Sequence, residues 1–309
     1  MKANHNHNGH KRPGRKGRPN GGGARDAALA EPLSAIERVR LARHPNRPQT
    51  LDYIDLLMRD FFEIHGDRCF ADDSAIVAGL AYFGRRAIAV VGHQRGRSTT
   101  ERIKRNFGKP HPEGYRKAAR VYELAERFSI PVVTLIDTQG AESGVGAEER
   151  GQPEAIARNL ELMARLTVPS VACVIGEGGS GGALALGVAN VVLMQENACY
   201  SVITPEGCAA ILWRAGGEEN VAAAAAAMKL SAPDLLELGL IDEIVPEPTG
   251  GAHTAPAEAA HLLGAALARH LESLVKLKPG ELRRARERKF AAMGSGFVTR
   301  LRVEGNEES

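Results

Sequence analysis

The 309-residue chain has no apolar run approaching the eighteen or so residues that a bilayer span needs, so no membrane segment is expected. Its amino terminus lacks the apolar core of a secretory signal, so the expected location is the cytoplasm. It also lacks any C-x-x-C pair. The four cysteines, Cys69, Cys173, Cys199 and Cys208, are scattered, which argues against a structural zinc site and against a disulfide scaffold. No metal ligand is expected, and the thiols read as reduced and mostly buried. The first twenty residues contain no acid, only Lys2, Lys11, Arg12, Arg15, Lys16 and Arg18 among charged types. Without these six, the chain carries 34 Lys and Arg against 37 Asp and Glu. The formal charge of +3 therefore belongs to the tail, and the body gives no argument for binding nucleic acid.

What is present suits a globular enzyme. Hydrophobic residues make up 43% and charged residues 25%, with length enough for a sizeable core. Residues 1–33 are expected as a disordered basic tail, 34–295 as one domain and 296–309 as a flexible terminus. Ser34 is a candidate N-cap for a helix carrying Ile36, Val39, Leu41 and Ala42. After the break at Pro45 and Pro48, Leu51, Ile54, Leu57, Met58, Phe61 and Phe62 have helical spacing over 51–65. Segments 75–83 and 86–92 read as strands joined at Gly84. A helix over 112–128, an apolar strand over 131–136, a helix over 147–166 and a second apolar strand over 171–175 follow. Short strands are expected over 191–194, 200–203 and 240–245. Helices are expected over 221–228, up to Gly239, and over 255–277. Strands apolar throughout, alternating with helices, predict an α/β fold with the sheet covered on both faces.

Two glycine loops stand out, one with Gly140, Gly144 and Gly146 and one spanning Gly176–Gly182. Each lies between a strand's carboxyl end and a helix's amino end. Backbone N–H groups there have no partner within the helix, and the helix dipole adds partial positive charge. Such a place suits an anion or a developing oxyanion. The sequence Gly178-Gly179-Ser180-Gly181-Gly182 also matches the G-x-S-x-G nucleophile elbow. A hydrolase would then draw an acid and a histidine from Asp234, Asp242, His253 and His261, which are available by order alone. Otherwise no His–Asp dyad is obvious.

At these loops a family resemblance emerges. The run Gly144-Val145-Gly146-Ala147-Glu148-Glu149-Arg150-Gly151-Gln152, the run Glu154–Leu160 and the run Val174–Ala185 resemble the carboxyltransferase alpha subunit of acetyl-CoA carboxylase. So do Ala42-Arg43-His44-Pro45 with Arg47-Pro48 and Thr50–Tyr53, and Arg105–Gly108 with Pro112–Ala118. Pro205–Cys208 with Ile211–Trp213, and Glu247-Pro248 with Gly250–His253, complete a likeness covering roughly residues 36–295. The resemblance implies a crotonase (ClpP-like) fold of repeated ββα units with the sheet flanked by helices. It implies transfer of a carboxyl group from carboxybiotin on a carrier protein to acetyl-CoA, giving malonyl-CoA for fatty acid synthesis. It further implies a beta partner in an α2β2 heterotetramer, with zinc in that beta subunit only. Biotin carboxyl carrier protein and biotin carboxylase complete an ATP-binding, nucleotide-binding assembly. No cofactor is expected to be covalently bound to this chain.

By the same resemblance the oxyanion site for biotin falls on the N–H groups around Gly181, Gly182 and Ala183, with Gly140 and Ala141 opposite; for each glycine the plainer reading is a tight turn. Such chemistry asks for oxyanion sites and no side-chain base, which agrees with the missing dyad. The basic stretch 93–117 offers Arg95, Arg97, Lys104, Arg105, Arg116 and Lys117 to the phosphates of CoA or to an acidic carrier, or simply as a solvated face. Two departures from the family bear on activity. A short basic tail replaces the usual charged helix. The loop D-T-P-G-A-Y-P-G reads Asp137-Thr138-Gln139-Gly140-Ala141-Glu142-Ser143-Gly144. Loss of two prolines is expected to loosen that loop, and Glu142 adds negative charge near the expected anion. A paralogue carboxylating another acyl-CoA, or an inactive assembly subunit, remain as other readings.

Overall fold

The computed structural model describes residues 33–213 and 217–295. The expectations for 1–32 and for 296–309 lie outside those residues. Ser34 begins the first helix, α1 (Ala35–Ala42), with a capping box. Its hydroxyl accepts the Glu37 N–H at 3.4 Å, and the Glu37 carboxylate accepts the Ser34 N–H at 2.8 Å. After the proline break comes α2 (Thr50–Leu57).

The expected helix over 51–65 is only half helix. From Met58 the chain becomes β1 (Met58–Glu63), paired antiparallel with β2 (Ile76–Phe83). Pairing at the sheet edge overrides the helical spacing of Phe61 and Phe62. The contact is tight: a Cβ on Gly79 would sit 2.2 Å from the Phe62 carbonyl oxygen.

The strand β2 turns at Gly84, whose φ is 59°, into β3 (Arg86–His93). From β3 onward the pairing is parallel. It runs through β4 (Val132–Thr138), β5 (Ser170–Gly179) and β6 (Val191–Gln195). The lower part of β5 pairs with β6. Its upper part, Glu177–Gly179, pairs with β7 (Cys199–Ser201). The strand β8 (Glu243–Val245) adds to β6.

The helices follow the strands in order. They are α3 (Thr99–Lys104), α4 (Pro112–Phe128), α5 (Val145–Glu149) and α6 (Gln152–Arg165). Then come α7 (Ser180–Leu184), α8 (Pro205–Trp213), α9 (Glu218–Ala227) and α10 (Ala232–Glu237). Last are α11 (Pro256–Leu274) and α12 (Pro279–Ala292). Side chains alternate between the faces of the sheet. Ile76, Val91, Val132, Ile136 and Val174 pack with Tyr115, Tyr122 and Met163 on one side. Val77, Val90, Val133, Leu135 and Ile175 pack with Tyr53, Ile54, Leu263 and Leu267 on the other. The expected sheet with helices on both faces is therefore present.

Other departures from expectation bear on the site and its support. The helix predicted over 147–166 is two helices, because Gly151 adopts φ 83° and Pro153 starts α6 afresh. The second apolar strand continues through the first half of the glycine-rich run to Gly179. The sequence also gave no assignment for α12. That helix carries Arg286, which is almost wholly buried. Its Nη1 donates to the carbonyls of Met163, Ala164 and Leu166 at 2.8, 3.1 and 2.9 Å, closing the carboxyl end of α6.

Candidate active site between two glycine loops

Parallel strands β3, β4 and β5 end side by side, so the segments after β4 and β5 are brought face to face. Most glycines at the end of β5 are not turn residues. They let neighbouring side chains and backbone approach the main chain closely. A Cβ on Gly176 would lie 2.4 Å from Asp137 Oδ1, and one on Gly178 would lie 2.7 Å from the Tyr200 ring. One on Gly179 would lie 2.2 Å from the Gln139 carbonyl oxygen, and one on Gly182 would lie 2.6 Å from the Ala141 nitrogen. The main chain of the first loop therefore presses directly on the second, where only glycine fits. Gly181 is half-buried, and Gly182 and Ala183 are buried, in the first turn of α7.

The first loop is tied down by polar side chains. Gly140 takes φ 151°, and its N–H donates to Thr138 Oγ1 at 3.1 Å. That occupies one of the two N–H groups expected to face an anion and leaves Ala141 as the first loop's candidate. The Glu142 carboxylate accepts from Asn106 Nδ2 and from the Gly144 N–H, each at 2.8 Å. The Asn106 hydrogen bond leads in holding this carboxyl below the usual range, against a small effect of burial. Gln152 Nε2 donates to the carbonyls of Pro110 and Glu142, both at 2.8 Å. The expected loosening is offset, because Glu142 anchors the segment where the family has prolines.

Beneath the loops lies a layer of paired charges. Arg43 Nε meets Glu177 at 2.7 Å and its Nη1 meets Glu206 at 2.6 Å. Arg95 reaches Asp137 at 3.3 Å and Glu177 at 3.0 Å. Gln139 Nε2 adds a donor to Glu177 at 3.1 Å. Burial pushes Asp137 above the usual carboxylate range despite the nearby Arg95 charge. Arg47 is buried with Glu247, and it also donates to the Ile175 carbonyl at 2.6 Å. His44 stacks on His253 at 3.6 Å between ring centres. The segments 43–47 and 247–253, about 200 residues apart in sequence, thus clasp one another.

The six basic candidates do not converge. Lys117 is wholly buried and donates to Asp72 Oδ1 at 2.6 Å and to the Asp73 carbonyl at 2.7 Å. Arg116 bridges Asp67 and Glu113 at 2.8 and 3.0 Å. Arg105 donates to the Ser74 carbonyl at 2.8 Å, and Arg97 pairs with Asp52 at 2.7 Å. Arg95 belongs to the layer under the loops. Lys104 is exposed. A ligand-binding role for Lys117 is thereby corrected to a structural one, since its charge is spent inside the fold. A cavity of about 310 Å³ beside Gln139 is lined instead by Arg43, Arg47, Arg95, Arg102 and Lys109. On the far side of α7 a mainly apolar cavity of about 360 Å³ opens beside Ser180 and Gly181, with Leu184, Tyr200, Leu240 and Phe290 in its wall. A further cleft, about 900 Å³, lies near Gly84 and Pro131 at the other end of the strands, away from the loops.

The elbow geometry of the hydrolase reading is partly real. Ser180 takes φ 53° between strand and helix. No triad assembles around it among the described residues. Asp234 is held by Ser231, Asp242 by Lys289 and the Val192 N–H, and His253 by its stack on His44. His261 lines the distant cleft.

Sequence reasoning missed Glu177, Asp137 and Glu247 as parts of this site. Its one available signal was a polar residue closing or following an otherwise apolar strand. Among the described residues no helix is long and apolar enough to cross a membrane, and no cluster of His, Cys, Asp or Glu is placed to hold a metal.

Known proteins place this geometry in context. The family described as acetyl co-enzyme A carboxylase carboxyltransferase-like matches residues 24–294. The acetyl-coenzyme A carboxylase carboxyl transferase subunit alpha of Aquifex aeolicus is 57% identical over 263 residues, covering 85% of this chain and 81% of the relative. The corresponding subunit of Sorangium cellulosum is 59% identical, covering 85% of this chain and 82% of the relative. A Pseudomonas malonate decarboxylase hetero-tetramer, solved in complex with coenzyme A, has a chain that superposes with a TM-score of 0.62. That chain is 16% identical, with 82% of this chain and 98% of that one covered. At that identity the likeness is one of fold, and the fold is of crotonase type.

Proposed function

The chain belongs to the acetyl-CoA carboxylase carboxyltransferase alpha-subunit family, and from that membership we infer the work its glycine loops do. It is a biotin-dependent carboxyltransferase chain that moves a carboxyl group to acetyl-CoA, giving malonyl-CoA. It works with a beta subunit, in an α2β2 assembly in the cytoplasm, beside a biotin carboxyl carrier protein and a biotin carboxylase.

One observation carries the assignment of the site: two main-chain segments touch at Gly182 and Ala141 with no side chain between them. Carboxybiotin on the carrier supplies the carboxyl group, and its ureido nitrogen receives the proton from the acyl α-carbon. This chain contributes charge stabilisation. The N–H groups of Gly181, Gly182 and Ala183, with Ala141 opposite, face the negative charge that develops on the biotin oxygen. Preorganised donors in a dry site stabilise such charge without reorganising at the moment of reaction. The apolar cavity beside Gly181 suits a small bicyclic ring, which supports the fit. The layer of paired charges holds Gln139 and Glu177 in place while offering no base. Arg102 and Lys109, at the 310 Å³ cavity, are the cations best placed for the phosphates of an acyl-CoA. The acyl group itself falls to the beta partner.

The test is co-expression with the beta partner, then an assay with carboxybiotinylated carrier and several acyl-CoAs. Malonyl-CoA is expected from the complex and not from the isolated chain. Product formed by the isolated chain would refute the division of labour.

A further inference from the structure

His93 closes β3 and is fully buried. Its carbonyl accepts from Thr50 Oγ1 at 2.6 Å, which fixes its backbone. Its Nδ1 accepts the Asp137 N–H at 3.4 Å, so the ring proton resides on Nε2. Among the described residues that Nε2 has no hydrogen-bond partner. Burial keeps the ring neutral, pushing its pKa down to about 3, and the Gly182 backbone is the group that partly offsets the push.

A matching acceptor lies in α7, where among the described residues no main-chain hydrogen bond ends on the Gly182 carbonyl. The main-chain bonds that close this helix run from Ala185 to the Gly181 carbonyl at 2.9 Å, from Leu186 to Ala183 at 3.1 Å and from Gly187 to Leu184 at 2.9 Å. They pass over the Gly182 carbonyl. A buried donor and a buried acceptor are each costly until paired.

We propose that His93 is a positioning residue that couples the two glycine loops. One imidazole accepts from Asp137 at the root of the first loop and donates Nε2–H to the Gly182 carbonyl in the second. This rests on the reading of Gly181–Ala183 as the anion site. In a planar trans peptide the C=O and N–H point opposite ways. A donor that holds the Gly182 oxygen toward the core therefore turns the Ala183 N–H away from it. The rival donor is the Tyr115 hydroxyl, also buried and unpartnered, 2.8 Å from where a Gly182 Cβ would lie.

The test uses the reconstituted complex and separates kcat from KM. His93→Gln keeps a donor near the Nε2 position, and His93→Met keeps length without polarity. The Met variant is expected to lose about ten-fold in kcat with KM for acetyl-CoA unchanged, and the Gln variant to stay within about three-fold of the parent. Should the Met variant fail to assemble, His93→Asn, too short to reach Gly182, takes its place with the same expectation. Equal kcat in the donor and non-donor variants overturns the proposal, and so does a ten-fold loss in Tyr115→Phe. Gly182→Val is the companion measurement. Normal turnover there sinks the anion-site reading and this inference with it. Its collapse, alongside indifferent His93 variants, sinks this inference alone.

Discussion

Around Gly140 and Ala141 the main chain is fixed by polar side chains: Thr138, Asn106, Glu142 and Gln152 hold it with named hydrogen bonds. Along Gly176–Gly182 it is fixed by the lack of side chains, because Asp137, Tyr200, Gln139 and Ala141 occupy the space a Cβ would need. The two segments touch, yet they are specified differently. The clamped segment should tolerate changes in its own sequence so long as an anchor survives, and Glu142 supplies one in a loop that has lost the family's prolines at 139 and 143. The close-packed segment should tolerate almost none at Gly176, Gly178, Gly179 and Gly182.

The contrast is broken most severely at Gly182. Gly182→Val adds atoms where the Ala141 nitrogen and the Tyr115 hydroxyl already lie within 3 Å. Turnover per assembled complex should fall by about 10²–10³, the cost of losing one oxyanion donor. Near-normal turnover would end the assignment. Next comes Gly179→Ala, whose methyl would meet the Gln139 carbonyl at 2.2 Å. It should cost roughly 1–3 kcal/mol of stability, read as a lower thermal midpoint, because backbone cannot move aside as a side chain can. An unchanged midpoint would mean that the loops are not pressed together in solution.

The clamped loop should respond more gently. Glu142→Ala removes two accepted hydrogen bonds and should cost about 1–2 kcal/mol, with turnover reduced less than about ten-fold. Its pH dependence has a definite sign. The folded carboxyl sits below its ordinary range, so its contribution is complete above the unfolded pKa and fades as pH falls through the folded one. The Ala variant should show less acid-dependent loss of midpoint than the parent, and identical acid profiles would exclude Glu142 as the anchor. Smallest of all should be Ser180→Ala. Without a triad around it, turnover should stay within about three-fold, whereas a hydrolase nucleophile would lose nearly everything.

Much of this was legible in the amino-acid order. The helix over 112–128 matched to the residue, because Pro112 opens it and its apolar spacing is unbroken. The parallel core strands showed as continuous apolar runs. What failed were places where distant backbone decides. Met58–Glu63 has helical spacing but meets β2, and Glu177–Gly179 looks like a loop but meets β7. At the site, the glycines announced themselves, and their contacts did not. A glycine that permits a turn and one that admits a neighbour's carbonyl are the same letter. The basic stretch misled for a related reason. Composition shows that Lys117 is charged but not that Asp72 lies 2.6 Å away to neutralise it.

Arg286 has a consequence for the order in which the chain takes shape. The carboxyl end of α6 is completed by a guanidinium that follows it by more than 120 residues. Before α12 exists, the carbonyls of Met163, Ala164 and Leu166 have no such donor. The last turn of α6 gains these three hydrogen bonds only once α12 has been made. A chain halted at residue 280 would contain every strand and both glycine loops and still lack this closure. The helix α12 thus acts as a late latch, set only after the sheet and both glycine loops have been made.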